Sequence, residues 1–209
     1  MNADSPASGF GRVLKSLNCD RAYGLALILV CAALGLLELG GDSVRNTLSY
    51  ERVAIAAGEW WRLVSAHFVH LDAEHTVLNS LGIVLMWALF ARDHSPLRWV
   101  AIYLFSAACV SAGLWFFNPE VEWYVGSSGA LHGVMTAGTL AHIRRGDLDG
   151  WILAAFIIGK LSYEQVSGQM PFAGASNTIV DAHLYGAIGG IVISLLLIFL
   201  DRKRRKLPL

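Results

Sequence analysis

The 209-residue chain is 55% hydrophobic and only 15% charged, and its 16 Lys and Arg balance 16 Asp and Glu. That composition leaves too little polar surface for an ordinary soluble domain, so the bilayer is the expected solvent. The expected fold is all-α: a polytopic membrane protein whose one compact bundle accounts for the chain.

Taken in chain order, Arg12, Lys15 and Arg21 precede the first apolar run, Ala22–Leu39. No small-x-small cleavage site follows, so an uncleaved first helix is expected. Residues 40–74 form the longest interspan segment, where Trp60, Trp61, Leu63, Val64 and Phe68 give a partly amphipathic pattern suited to the outer interface. His75–Ala91, Trp99–Phe117 and Trp123–Ile143 are the next three runs, each near the roughly 20 residues a spanning helix needs. The fifth, Leu148–Tyr163, is interrupted by Lys160; an irregular loop with Gly168, Pro171 and Gly174 then leads to the sixth, Ile179–Leu200. Cys19, Cys31 and Cys109 are odd in number, and two of them lie within runs. They read as packing residues rather than a disulfide framework or metal site.

Charge placement sets the expected topology. With a cytoplasmic N-terminus, twelve of the 16 basic residues fall on inner segments, including the tail Arg202 to Lys206, against Arg45, Arg52, Arg62 and Lys160 outside. The positive-inside rule then puts both termini in the cytoplasm. Three parts follow: a cytoplasmic segment (1–21), a six-helix domain (22–200) and a basic tail (201–209). The tail reads as an anchor on anionic lipid, not as a nucleic-acid patch.

Polar side chains within spans are costly unless they meet a partner or water, so they point to function. His70, His75 and Asn79 surround the start of the second run, Ser127, Ser128 and His132 open the fourth, and Asp181 and His183 begin the sixth. These three runs share one direction, so their polar ends meet at one depth below the outer surface. A nucleophile, a base and oxyanion donors together suit acyl transfer: Ser128 attacks and His183 accepts its proton. Gly126 and Gly129 flank the serines and allow close backbone approach. Free amides at Ser128 and Gly129, with His75 and Asn79, are candidate oxyanion donors. No acid is placed to orient His183, since Asp181 lies two residues earlier and points roughly 200° away on a helix. Each residue also has a plain packing reading, Gly186 and Gly190 making a small-xxx-small face; only the joint pattern favours chemistry.

The same residues resemble the rhomboid intramembrane serine proteases along nearly the whole chain. Trp61-Arg62 resembles the family's Trp-Arg motif in the first loop, and His70, His75 and Asn79 its two histidines and asparagine. Gly126-Ser127-Ser128-Gly129 is similar to Gly-x-Ser-Gly with Ser128 in the catalytic position, and His183-Leu-Tyr-Gly186 with Gly190 is similar to the sixth-helix motif. The resemblance implies a six-transmembrane-helix rhomboid bundle, a Ser128–His183 dyad, oxyanion stabilisation by His75 and Asn79, and no metal or cofactor. It implies a bacterial inner-membrane enzyme open to the periplasmic side and a membrane-anchored protein substrate. His132 stands where many rhomboids carry an aromatic residue that stacks on the catalytic histidine; it can stack, titrate or simply pack. Ser127 is expected to cap the helix start. Ser127-Ser128-Gly129-Ala130-Leu131-His132-Gly133 most resembles the rhombosortase branch, which implies substrates with a C-terminal Gly-Gly, a spanning helix and a basic cluster, and transfer to an amine as well as to water.

Two rivals remain. A metal enzyme using His67, His70 and His75 lacks ligands on one helix face and has no His-Glu-x-x-His. A non-catalytic rhomboid-like binder of membrane helices needs neither Ser128 nor His183.

Overall fold

The computed structural model describes residues 21–171 and 178–206. Arg12, Lys15, Cys19, Gly174 and the last three residues, all used in the sequence reading, lie outside them. Among the described residues, six long helices form the bundle: α1 (Arg21–Leu39), α5 (Ala73–Phe90), α6 (Pro96–Phe117), α7 (Ser128–Arg145), α8 (Leu148–Ser167) and α9 (Val180–Lys206). Between α1 and α5 lie the short helices α2 (Gly41–Leu48), α3 (Arg52–Ala56) and α4 (Arg62–Ser65) and the two-residue strand β1 (Tyr50–Glu51), which pairs antiparallel with β2 (Trp123–Tyr124). The chain is thus an all-α polytopic membrane bundle. Helices α5, α6 and α9 are each long and apolar enough to cross a bilayer, and α1 with α2 makes a fourth such unit bent by 108°.

Helix α7 does not reach that apolarity because its positions are filled for packing. It buries Gly129, Ala130, Gly133, Thr136, Ala137, Gly138, Thr139 and His142 among its neighbours rather than against lipid. A Cβ on Gly186 would strike the carbonyl oxygen of Gly129, and one on Gly190 that of Gly133. The two small-xxx-small faces therefore bring the α7 and α9 backbones into direct contact. Gly133 also accommodates Ser106 of α6, and Gly138 the Phe90 ring of α5. Helix α8 carries Asp149, Lys160 and Glu164 and is likewise less apolar.

Local chemistry explains where the helices depart from the apolar runs. Helix α5 starts two residues early because Asp72 accepts a 2.7 Å hydrogen bond from the His75 N–H, and α6 starts at Pro96 because proline suits the first helical position. The fourth run was expected to be helical from Trp123. Instead Trp123 and Tyr124 pair with Glu51 and Tyr50, and Gly126 at φ +120° lies outside helical space, so α7 starts at Ser128. Gly168, at φ +78°, ends α8.

The expected interfacial segment is held by three arginines, of which Arg45 donates Nε–H to the His70 carbonyl at 2.6 Å. Arg52 donates to the carbonyls of Leu114, Trp115, Asn118 and Val121, satisfying the open carbonyl end of α6 and placing its cation at that helix's negative pole. Arg62, only 7% exposed, donates to the Asn46 and Ser49 carbonyls and pairs with Glu59 at 2.6 Å. Trp61 stays half-exposed, its Nε1–H donating to the Thr47 carbonyl. The Gly126 N–H donates to the Ala66 carbonyl, which fastens this segment to the strand leading into Ser128. At the opposite end, His142 bridges Asp93 and Asp149, and Arg145 pairs with Asp93 and Asp147.

The α7–α9 contact yields a measurable expectation. The new methyl of Gly186→Ala meets backbone that cannot rotate away, so the variant loses about 1–3 kcal/mol and melts lower in detergent. Gly159→Ala, whose Cβ would meet nothing within 4 Å, melts no lower than the parent.

Candidate active site

Helices α5, α7 and α9 all begin at the end of the bundle held by the arginine-pinned segment, and their first turns meet around a cavity of about 650 Å³. His75, Asn79, Ser128, His132, Lys160, Glu164 and His183 line it, together with apolar Leu78, Met135 and Phe156. The expected convergence of three polar helix starts is therefore present. Ser128 Oγ lies 3.1 Å from His183 Nε2, within reach for the hydroxyl to donate its proton.

Three further groups lie in or beside the same cavity. The first amides of α7 have no intrahelical acceptors and carry the positive end of the helix. Across the cavity, the Leu71 N–H donates to His75 Nδ1 at 3.4 Å, so the ring proton sits on Nε2, free to donate. Asn79 gives one amide hydrogen to the His75 carbonyl at 3.0 Å and retains the other. A Cβ on Gly126 would come within 2.9 Å of His75 Cε1, so this glycine makes room for the imidazole as well as supplying the positive φ.

His132 stacks on His183 with centroids 4.1 Å apart and planes 19° from parallel. Its Nδ1–H donates to the Ser128 carbonyl at 2.7 Å, which orients the ring and leaves Nε2 buried without a hydrogen-bond partner. Stacking is the reading of His132 that this geometry favours.

Ser127 does not cap α7. Its hydroxyl donates to the His67 carbonyl at 2.7 Å and receives the His70 Nε2–H at 3.4 Å. His70 thus stands behind the serine pair. His67 in turn donates Nε2–H to Ser111 Oγ at 3.0 Å, while Ser111 donates to the Leu63 carbonyl. Burial pushes the His67 imidazole down to about 4; burial and the adjacent His75 push His70 to about 3, so both loop histidines act as neutral donors. One ring nitrogen each of His67, His70 and His75 meets Ser111, Ser127 and the Leu71 amide, and among the described residues the three do not converge as the metal-ligand set considered above.

Trp61, Arg62, Gly186 and Gly190 lie outside the cavity and act on the frame around it. Asp181 is occupied elsewhere, accepting from Asn118 Nδ2 at 2.8 Å, while Tyr185 holds Asn118 Oδ1. The sequence reading missed Glu164 altogether. Its two carboxylate oxygens lie 3.0 and 3.1 Å from His183 Nδ1, and Lys160 pairs with it at 2.5 Å. The signal was available: an intramembrane Lys with an acid four residues on marks one helix face turned inward. His132, Glu164 and His183 also lie close enough to share an ion, but nearly parallel stacked rings do not aim their lone pairs at one point, and Lys160 already occupies the carboxylate. His142, Asp147 and Asp149 form a second close group, at the far end.

These features define a membrane helical bundle with a serine–histidine pair lining an end cavity. The family model for the rhomboid domain matches residues 57–199, and the chain belongs to the rhomboid family. It is 29% identical over 162 residues to YdcA of Bacillus subtilis (strain 168), provisionally named a rhomboid protease, covering 78% of each protein. Rhomboid protease GluP of the same organism is 32% identical over 107 residues, 49% of this chain and 21% of GluP. The uncharacterised protein ML1171 of Mycobacterium leprae (strain TN) is 25% identical over 203 residues, 88% of this chain and 75% of that protein.

The stack on His183 gives a direct expectation. His132→Ala removes a ring contact worth about 1 kcal/mol and melts lower in detergent, whereas His132→Phe keeps a stacking ring and recovers most of that stability.

Proposed function

We propose that the chain is an intramembrane serine endopeptidase with Ser128 as nucleophile and His183 as general base and acid. The 3.1 Å Ser128–His183 contact in the wall of the cavity carries this reading, and membership of the rhomboid family supports it. Ser128 Oγ attacks a substrate carbonyl as its proton passes to His183 Nε2. The oxyanion is met by the Ser128 and Gly129 amides with Asn79 Nδ2 and His75 Nε2. His183 then protonates the leaving amine, and the acyl-enzyme is resolved by water or a second amine. The Ser127 hydroxyl, engaged by His67 and His70, is not the nucleophile.

The substrate is a membrane-anchored protein whose helix unwinds near its outer end, where glycines lower helix stability. The run from Ser127 to Gly133 favours the rhombosortase type, with Gly-Gly preceding a spanning helix and a basic cluster. In this reading the protease domain covers residues 22–200 between a cytoplasmic N-terminal segment (1–21) and a basic cytoplasmic tail (201–209). It sits in a bacterial inner membrane with the cavity opening to the periplasmic side. The distribution of Lys and Arg supports that orientation.

Labelling by a fluorophosphonate probe in detergent tests the chemistry. Ser128→Ala and His183→Ala abolish labelling, a loss of at least roughly 10³-fold, while Ser127→Ala is labelled; undiminished labelling of Ser128→Ala refutes the assignment. Asn79→Ala lowers peptide cleavage roughly 10²-fold by removing an oxyanion donor. In vesicles, a peptide with Gly-Gly before its spanning helix is cleaved faster than its Leu-Leu counterpart; equal rates exclude the Gly-Gly preference alone.

A further inference from the structure

Helix α8 contributes the group that faces the other side of the base. Glu164 is 3% exposed and presents both oxygens to His183 Nδ1, at 3.0 and 3.1 Å. Lys160 Nζ lies 2.5 Å from Glu164 Oε1 and 3.5 Å from the same imidazole nitrogen. We propose that Glu164 is a positioning residue that completes a Ser128–His183–Glu164 triad, with Lys160 as the counter-ion that lets the carboxylate stay in the membrane. This assignment rests on Ser128 and His183 being the nucleophile and base.

Tautomer logic supplies the reason. To accept the Ser128 proton, His183 must present a lone pair at Nε2, so its own hydrogen must reside on Nδ1. A carboxylate at 3.0 Å from Nδ1 holds that hydrogen in place and stabilises the imidazolium formed during attack. Lys160 alone would do the reverse. An ammonium donating to Nδ1 would force the hydrogen onto Nε2, where it blocks the proton transfer. Glu164 sits nearer to Nδ1 than Lys160 and takes up the ammonium with Oε1, which resolves the competition in favour of the productive tautomer.

The pair is hard to explain as a structural element only. A buried ion pair adds little stability over a well-packed apolar pair, and in a bilayer it is an expensive way to fill space. Neutralising Lys160 alone gives no reason for the pair, since an apolar residue at 160 would remove the need for both. The group that uses the carboxylate is the His183 Nδ1–H.

The test is the fluorophosphonate labelling rate of the full-length protein in detergent, with 15N-histidine NMR reporting the His183 tautomer and melting reporting the fold. Glu164→Gln labels roughly 10²- to 10⁴-fold more slowly, because Lys160 holds the amide oxygen and turns the amide N–H toward Nδ1. The same variant shows His183 protonated at Nε2. Glu164→Asp keeps an acceptor and recovers a substantial part of the rate. The double variant Lys160→Met/Glu164→Ala, which carries no unpaired charge, remains as slow as Glu164→Gln. A double variant that labels at the parent rate overturns the proposal, because Glu164 would then serve only to neutralise Lys160. Parent-like labelling and Nδ1 protonation in Glu164→Gln overturn it as well. If Ser128→Ala itself labels, the nucleophile assignment fails; if Ser128→Ala is silent while Glu164→Gln reacts normally, only the triad fails.

Discussion

The approach of α9 to α7 through Gly129, Gly133, Gly186 and Gly190 fixes what the rest of the site can do. Serine has one of the shortest reactive side chains, so it cannot reach across the 8–10 Å typical between packed helix axes by extending itself. The backbones have to close the gap, and only residues without a Cβ permit that. With α7 and α9 in contact, Ser128 and His183 meet near the first turns of both helices, where the amides of α7 are still unpaired. The same small residues leave α7 too polar for lipid. It is therefore surrounded by neighbours, including Ser106 of α6 and Phe90 of α5.

Polar groups in such a bundle have little bulk water to fall back on, so most of those around the site take a partner inside the protein. His67 with Ser111, and Ser127 with His67 and His70, form a hydrogen-bonded wall behind the serines. Arg52 collects the carbonyls at the end of α6, and Lys160 with Glu164 enters α8 as a pair with no net charge. The network also divides labour between two adjacent hydroxyls. Ser127 is held by loop groups outside the active-site cavity, whereas Ser128 lines that cavity and meets His183.

Much of this was legible from residue types and spacing. Three runs with polar starts and one direction led to the meeting of His75, Asn79, Ser128 and His183, and the small-xxx-small spacing of Gly186 and Gly190 identified a close packing face. Trp123 and Tyr124 were misread as helix because an apolar pair has no period; their conformation is decided by Tyr50 and Glu51, more than 70 positions away in the chain. Ser127 looked like a cap because serine often caps, yet a loop histidine and a distant carbonyl claimed its hydroxyl. Glu164 stayed hidden for a similar reason. Lys160 was treated as a flaw in an apolar run, when the useful fact was that its cost required an acid on the same face, and which histidine that acid served depended on how α8 packs.

Gly126 joins two requirements at a single position. Its φ of +120° turns the chain from β2 into α7, and its missing side chain leaves the space that His75 occupies. Any other amino acid there meets a backbone penalty and the edge of an imidazole at once. The turn before Ser128 therefore sets backbone direction and imidazole room through one residue, and both favour glycine.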